Sequence, residues 1–196
     1  MKRIIIFASG SGTNTQNIIE YFQQNKIAKV VLVLSNKEDA KVLERANTLN
    51  IPFLSFTKAD LCTSNKVLDV LKKEMPDLIV LAGFLLKFPE NILQVYPNKV
   101  INIHPALLPK YGGKGMYGSF VHESVLANNE AETGITIHYV NENYDEGAII
   151  FQKSVFLTEG DTPETVASKV HKLEYKYFPK IIERVLFSDT PLSMMN

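Results

Sequence analysis

The sharpest chemical signal in the chain is Asn102-Ile103-His104-Pro105. Residues two apart on a strand share a face, so Asn102 and His104 would present an amide donor beside an imidazole. An amide N–H can stabilise an oxyanion and an imidazole can donate or exchange a proton. The pair therefore suits a reaction in which a carbonyl oxygen gains charge. A satisfied strand-end contact would use the same two residues.

A second signal is Ser9-Gly10-Ser11-Gly12-Thr13-Asn14, a run of small residues between an apolar stretch and a helical pattern. Such a turn lets backbone approach a ligand, and N–H groups opening a helix attract an anion such as phosphate. It departs from a dinucleotide fingerprint, because Thr15 stands where the third glycine would be and the next strand ends in Ser35-Asn36 with no acid. No Gly-Lys-Ser/Thr follows, which excludes a Walker A loop. The alternatives are a phosphate seat that is not specific for NAD and a tight turn without a ligand.

Asp145 precedes Glu146-Gly147, and on its own residues it reads as a turn. Gly83-Phe84-Leu85-Leu86 follows a strand pattern and is either loop packing or a slot for a flat heterocycle. His122, His138 and His171 have structural readings, with His138 on the strand face opposite Ile135, Ile137 and Tyr139. No histidine pair has ligand spacing and no cysteine cluster exists, so no metal is expected. Cys62 is the single cysteine, which fits a reducing compartment.

These residues need a frame, and the alternation of apolar runs with helical periods supplies it. Strands are expected at Arg3–Ala8, Lys29–Leu34, from Ile51, at Asp77–Ala82 and at Val100–Ile103. Helices are expected at Asn14–Asn25 with Thr13 as N-cap, Lys41–Leu49, Lys66–Glu74 and Glu90–Tyr96. That pattern predicts an α/β fold with a doubly wound, mostly parallel sheet. Its strand ends would carry the ligand crevice, with Asn102 and His104 at one of them. After a Pro- and Gly-rich loop, a helix at Ser119–Ala127 leads to antiparallel strands at Gly134–Val140 and Ile149–Phe156. A long helix over Thr162–Val185 closes the pattern, with Pro163 in its first turn.

The chain has 196 residues, 45% of them hydrophobic, which suits one domain with a sizeable core. Lys plus Arg equals Asp plus Glu at 21 each, so net charge offers no drive toward nucleic acid or membrane surfaces. Only Ile4 to Ala8 are apolar near the start, short of the ~7–15 residues of a secretory core. A cytoplasmic protein acting on small molecules is expected, as monomer or homodimer.

The segments SGSGTN at 9–14, LSNKEDA at 34–40, LAGFL at 81–85, NIHPALLPKY at 102–111, GITIHYV at 134–140 and YDEGAII at 144–150 occur in order. As an ordered set they resemble the folate-dependent formyltransferases, from Arg3 to about Val185. The resemblance implies a Rossmann-like formyltransferase fold in one domain over residues 1–196, with a nucleotide-phosphate half at about 1–100 and a folate/catalytic half at about 101–196. It implies 10-formyltetrahydrofolate as co-substrate, glycinamide ribonucleotide as acceptor, and no metal. Asn102, His104 and Asp145 would be the catalytic trio. Gly12, Thr13, Asn14 and Thr15 would hold the phosphate of the acceptor, and Glu174 would bind near its other end. The pterin would lie between Leu85, Leu86, Lys87 and Phe88 on one side and Asn141, Glu142, Asn143, Tyr144 and Asp145 on the other, with Asn102 beside it.

Two departures stand out. Leu86 occupies a position where the family commonly has arginine, so pterin recognition is expected to lean on backbone groups and apolar contact. Gly112 to Gly118 is longer than the commoner pattern, as a mobile lid or a lineage-specific loop. Length separates the siblings: a tRNA-directed formyltransferase is expected to carry a further C-terminal domain, and a formyl-folate hydrolase an N-terminal one. A sugar-directed one usually carries an extension too, but length separates it less sharply and it stays as an alternative. A non-catalytic nucleotide-binding module is the reading from another class, and the trio argues against it.

Overall fold

A computed structural model describes residues 1–188; the last positions of the expected folate/catalytic half, 189–196, lie outside the described residues. One seven-stranded sheet runs through it in the order β3-β2-β1-β4-β5-β6-β7. Its strands are β1 (Lys2–Phe7), β2 (Ala28–Ser35), β3 (Phe53–Ser55), β4 (Leu78–Leu81), β5 (Val100–His104), β6 (Glu132–Tyr139) and β7 (Ile149–Phe156). The first five pair in parallel, and β6 and β7 add antiparallel.

Period-2 alternation within an all-apolar run explains why both faces of the sheet are covered. Ile4 and Ile6 of β1 face one side, with Val80 and Ile101. They are packed by α1 (Thr13–Asn25), α2 (Lys41–Thr48) and α7 (Pro163–Phe187) through residues such as Ile18, Val42 and Phe178. Ile5 and Phe7 face the other side with Ile79 and Leu81. There α4 (Lys66–Glu74) and α5 (Glu90–Val95) cover them with Leu68, Leu71 and Ile92. The remaining helices are α3 (Lys58–Cys62) and α6 (Ser119–Ala127).

Most expected boundaries hold within a residue or two, and two features differ for physical reasons. Thr13 is the first residue of α1 rather than its cap; Gly12, at φ 74°, caps it without a side-chain hydrogen bond. The single-turn α3 was not expected, being too short for a period, and a reciprocal Thr57–Asp60 capping box holds its start. The long last helix, α7, runs as expected, through Pro179 to Phe187. A proline inside a helix removes the bond to the carbonyl four residues back. Here that carbonyl, Tyr175, instead accepts from Asn17 Nδ2 at 3.0 Å, so α1 supplies the missing donor.

Candidate active site

The sheet changes winding direction between β1 and β4, and their carboxyl ends, with that of β5, open a cleft of about 630 Å³. At one end lies the glycine turn. The first helical bond of α1 is Gln16 N–H to Gly12 carbonyl at 2.9 Å, and no side chain caps the helix. The N–H groups of Thr13, Asn14 and Thr15 therefore precede the helical ladder and carry its positive end. Arg45 of α2 braces the turn by donating to the Ser11 carbonyl at 2.8 Å and to Gln16. Gly12 could not be another residue: a Cβ there would lie 2.5 Å from Val42 Cγ2 and 2.7 Å from its Cα. Thr15 is fully buried and lies behind the residues that line the cleft, Gly10 to Asn14.

Glu174 of α7 stands beside this turn, accepting from Asn14 Nδ2 at 2.8 Å. It is 5% exposed, and burial, partly offset by Asn14, pushes its pKa up to about 7. His122 and His171 also line the cleft.

At the other end are Asn102 and His104 of β5. Antiparallel pairing sets Asn102 directly opposite His138 and His104 opposite Thr136. The Thr136 hydroxyl donates to the Ala106 carbonyl at 2.7 Å and accepts from Leu108 N–H at 3.0 Å, bracing the chain just after His104. The Asp145 carboxylate sits between the two rings. One oxygen is 3.6 Å from His104 Nδ1 and accepts from Gly113 N–H at 3.0 Å; the other is 3.6 Å from His138 Nε2. Asp145 has φ 56°, a left-handed conformation unusual outside glycine. It is thus both a turn residue and a site residue.

His104 is 4% exposed and donates from Nε2 to the Tyr111 carbonyl at 2.7 Å. The nearby Asp145 carboxylate acts to raise its pKa. Burial outweighs that attraction, and the net shift is downward. His104 is therefore neutral in the resting protein near neutral pH. Burial acts to raise the Asp145 pKa, but the neighbouring histidines, His138 and His104, and the Gly113 N–H together hold it below the usual carboxylate range.

The two expected pterin segments come together. Leu86, Lys87 and Phe88 line one cavity with Asn141, Asn143, Tyr144 and Asp145, and Asn102 and His138 form its floor. Leu85 lines the main cleft, its N–H held by the Ser9 hydroxyl at 3.0 Å. Phe88 turns its ring into the core, edge-on to Phe7 at 5.3 Å, and Glu142 is exposed on its loop. His138, given only a structural reading from the sequence, lies within the site. Only the β5–β6 register reveals it. Gly113, Lys114, Met116 and Tyr117 also reach the cleft from the long loop. Among the described residues no group of three or more His, Cys, Asp or Glu could hold a metal, and no helix is long and apolar enough to cross a membrane.

Fold and cleft together define a doubly wound α/β transferase. The chain belongs to the formyl transferase family, whose sequence model matches residues 2–182. A phosphoribosylglycinamide formyltransferase of Bacillus subtilis is 36% identical over 191 residues, covering 95% of each chain. A chloroplastic one of Arabidopsis thaliana is 40% identical over 187 residues; the match covers 92% of this chain but only 64% of that longer protein. The crystal structure of phosphoribosylglycinamide formyltransferase from Bacillus halodurans superposes with a TM-score of 0.85 at 35% identity, covering 98% of this chain and 99% of that one.

Proposed function

We propose that the protein transfers the formyl group of 10-formyltetrahydrofolate to the amine of N1-(5-phospho-D-ribosyl)glycinamide. The products are the N-formyl compound and tetrahydrofolate, in purine (IMP) synthesis. The observation that carries this reading is the placement of Asn102, His104 and Asp145 in one cleft whose far end is the uncapped helix at Gly12. The names of the similar proteins support it. Both substrates are small molecules, and the reading calls for neither nucleic acid nor membrane. It describes a cytoplasmic enzyme with one catalytic domain, acting as monomer or homodimer.

In this reading the backbone N–H groups from Gly12 to Thr15 seat the phosphate, and Glu174, one hydrogen bond from Asn14, accepts from hydroxyls of the adjoining sugar. Phe84, Leu86 and Val140 give the pterin apolar walls, and the backbone of 141–145 gives it polar partners; that composition fits a flat heterocycle with a hydrogen-bonding edge.

When bound, 10-formyltetrahydrofolate supplies a formyl carbon on a nitrogen that can leave. Asn102 donates a hydrogen bond to the formyl oxygen as it gains negative charge. Neutral His104 takes up at Nδ1 the proton shed by the attacking amine, and Asp145 faces the imidazolium so formed. His104 then returns that proton to the departing nitrogen, ending neutral.

Incubation with both substrates, followed by folate absorbance, tests the activity. Asn102→Ala, His104→Ala and Asp145→Ala should each lose at least roughly 10²-fold, mostly in kcat. Their combined loss should fall well short of the product, because these groups act as a unit. Full activity in His104→Ala, or a trapped formyl-enzyme adduct, overturns the mechanism.

A further inference from the structure

His138 is buried, at 2% exposure, and both its ring nitrogens are engaged. Nδ1 lies 2.8 Å from the Tyr139 carbonyl oxygen. A carbonyl only accepts, so Nδ1 carries a proton. Nε2 lies 3.1 Å from Asn102 Nδ2, which only donates, so Nε2 holds a lone pair. The second candidate partner of Nε2, Asp145 Oδ1, stands at 3.6 Å, beyond hydrogen-bond range. The charged and titratable groups facing the ring are Asp145 from the loop after β6 and His104 from β5. The cross-strand pairing of Asn102 with His138 makes this contact a product of sheet register rather than of a mobile loop.

We propose that His138, as the neutral tautomer protonated on Nδ1, is a positioning residue that fixes the amide of Asn102 so that its second N–H stays aimed at the formyl oxygen. This rests on the reading of Asn102 as the oxyanion donor. An asparagine amide has nearly equal ends and turns about χ2 at little cost. Left unanchored at the cleft, it would spend part of its time presenting Oδ1 to a developing negative charge, which repels it. Binding one N–H to a buried ring removes those orientations before substrate arrives, and such preorganisation makes an oxyanion donor effective. An imidazolium at His138 would turn Nε2 into a donor facing Nδ2 and would reverse the amide. The neutral ring is therefore part of the device.

Steady-state kinetics of His138→Leu, His138→Gln and Asn102→Ala test this. Leucine fills the site without an acceptor, whereas glutamine can place its carbonyl oxygen near the Nε2 position. His138→Leu should lose about 10²-fold in kcat, the scale of one oxyanion donor, with KM for either substrate changed less than about threefold. His138→Gln should recover at least about tenfold of that loss, since it restores the acceptor. Wild-type kcat in His138→Leu, or equal losses in the leucine and glutamine variants, overturns the proposal. Wild-type activity in Asn102→Ala would instead overturn the catalytic reading beneath it. If the leucine variant does not fold, nitrogen-15 NMR of the wild type near pH 7.5 decides. Shifts of a protonated Nδ1 and a bare Nε2 support the proposal, and a protonated Nε2 ends it.

Discussion

A buried imidazole beside a carboxylate meets two opposed effects, and at His104 burial is the larger. The consequence is an imidazole that can accept a proton at neutral pH, as the proposed general base requires. Because its folded pKa is depressed, His104 contributes stability above the ordinary value of 6.5, lost as pH falls through that value toward the folded one. NMR titration of the His104 ring in the free protein should show a midpoint below 6.5. Asp145→Asn removes the attraction that favours the imidazolium, so the midpoint should move lower still. A midpoint above 6.5, or one indifferent to Asp145→Asn, removes the neutral-base assignment. At this scale the sequence was informative where chemistry lies within a few residues. Asn102 and His104 are two apart on one strand, so their shared face follows from the pleat. His138 is 36 positions from Asn102, and their contact depends on a register that no local pattern encodes. Asp145 read as a turn because it is one, and its left-handed backbone aims the carboxylate between two rings.

Among the elements, the strand-to-helix turn joins fold to function most closely. Its glycines were legible as small residues, but their separate duties were not. Gly12 has a positive φ and stands against Val42 backbone, whereas at Gly10 a Cβ would meet nothing within 4 Å. Gly12→Ala should therefore lose stability through strain and overlap, and it cannot test ligand binding cleanly. Gly10→Ala should fold with a melting temperature close to wild type. Its added methyl enters the cleft lining near the proposed phosphate seat, so it should raise KM for the ribonucleotide at least about threefold more than KM for the folate. Equal rises for both substrates would argue against a phosphate seat at this turn. The apolar strands and the helices of two turns or more were readable because period and length agree. The path of α7 through Pro179 was readable from the same period; the donor that α1 supplies there, the Asn17 side chain, was not. Tertiary contact there overrides a local rule.

Across the whole molecule, α1 and α7 are joined by polar contacts that cross from one end of the sequence to the other. These are Asn14 to Glu174, Asn17 to the Tyr175 carbonyl, and Tyr21 to Glu183. Glu174 is the costly member. With its folded pKa raised from 4.5 to about 7, the native state holds a proton that the unfolded chain has released between those values. Stability from this group is complete below pH 4.5 and is lost as pH rises through about 7, amounting to about 3 kcal/mol for a shift of this size. Such a burden at a cleft-lining position fits a group kept for its ligand rather than for the fold. Glu174→Gln retains an oxygen to accept from Asn14 Nδ2 but has no proton to lose. Thermal unfolding at pH 5 should find the variant close to wild type. At pH 8 it should be the more stable protein, by on the order of 1–3 kcal/mol, while its KM for the ribonucleotide rises. Melting temperatures that differ equally at pH 5 and pH 8 would show that ionisation of Glu174 carries no penalty. An unchanged KM would detach this residue from the ribonucleotide and leave it as a structural tie between the two helices.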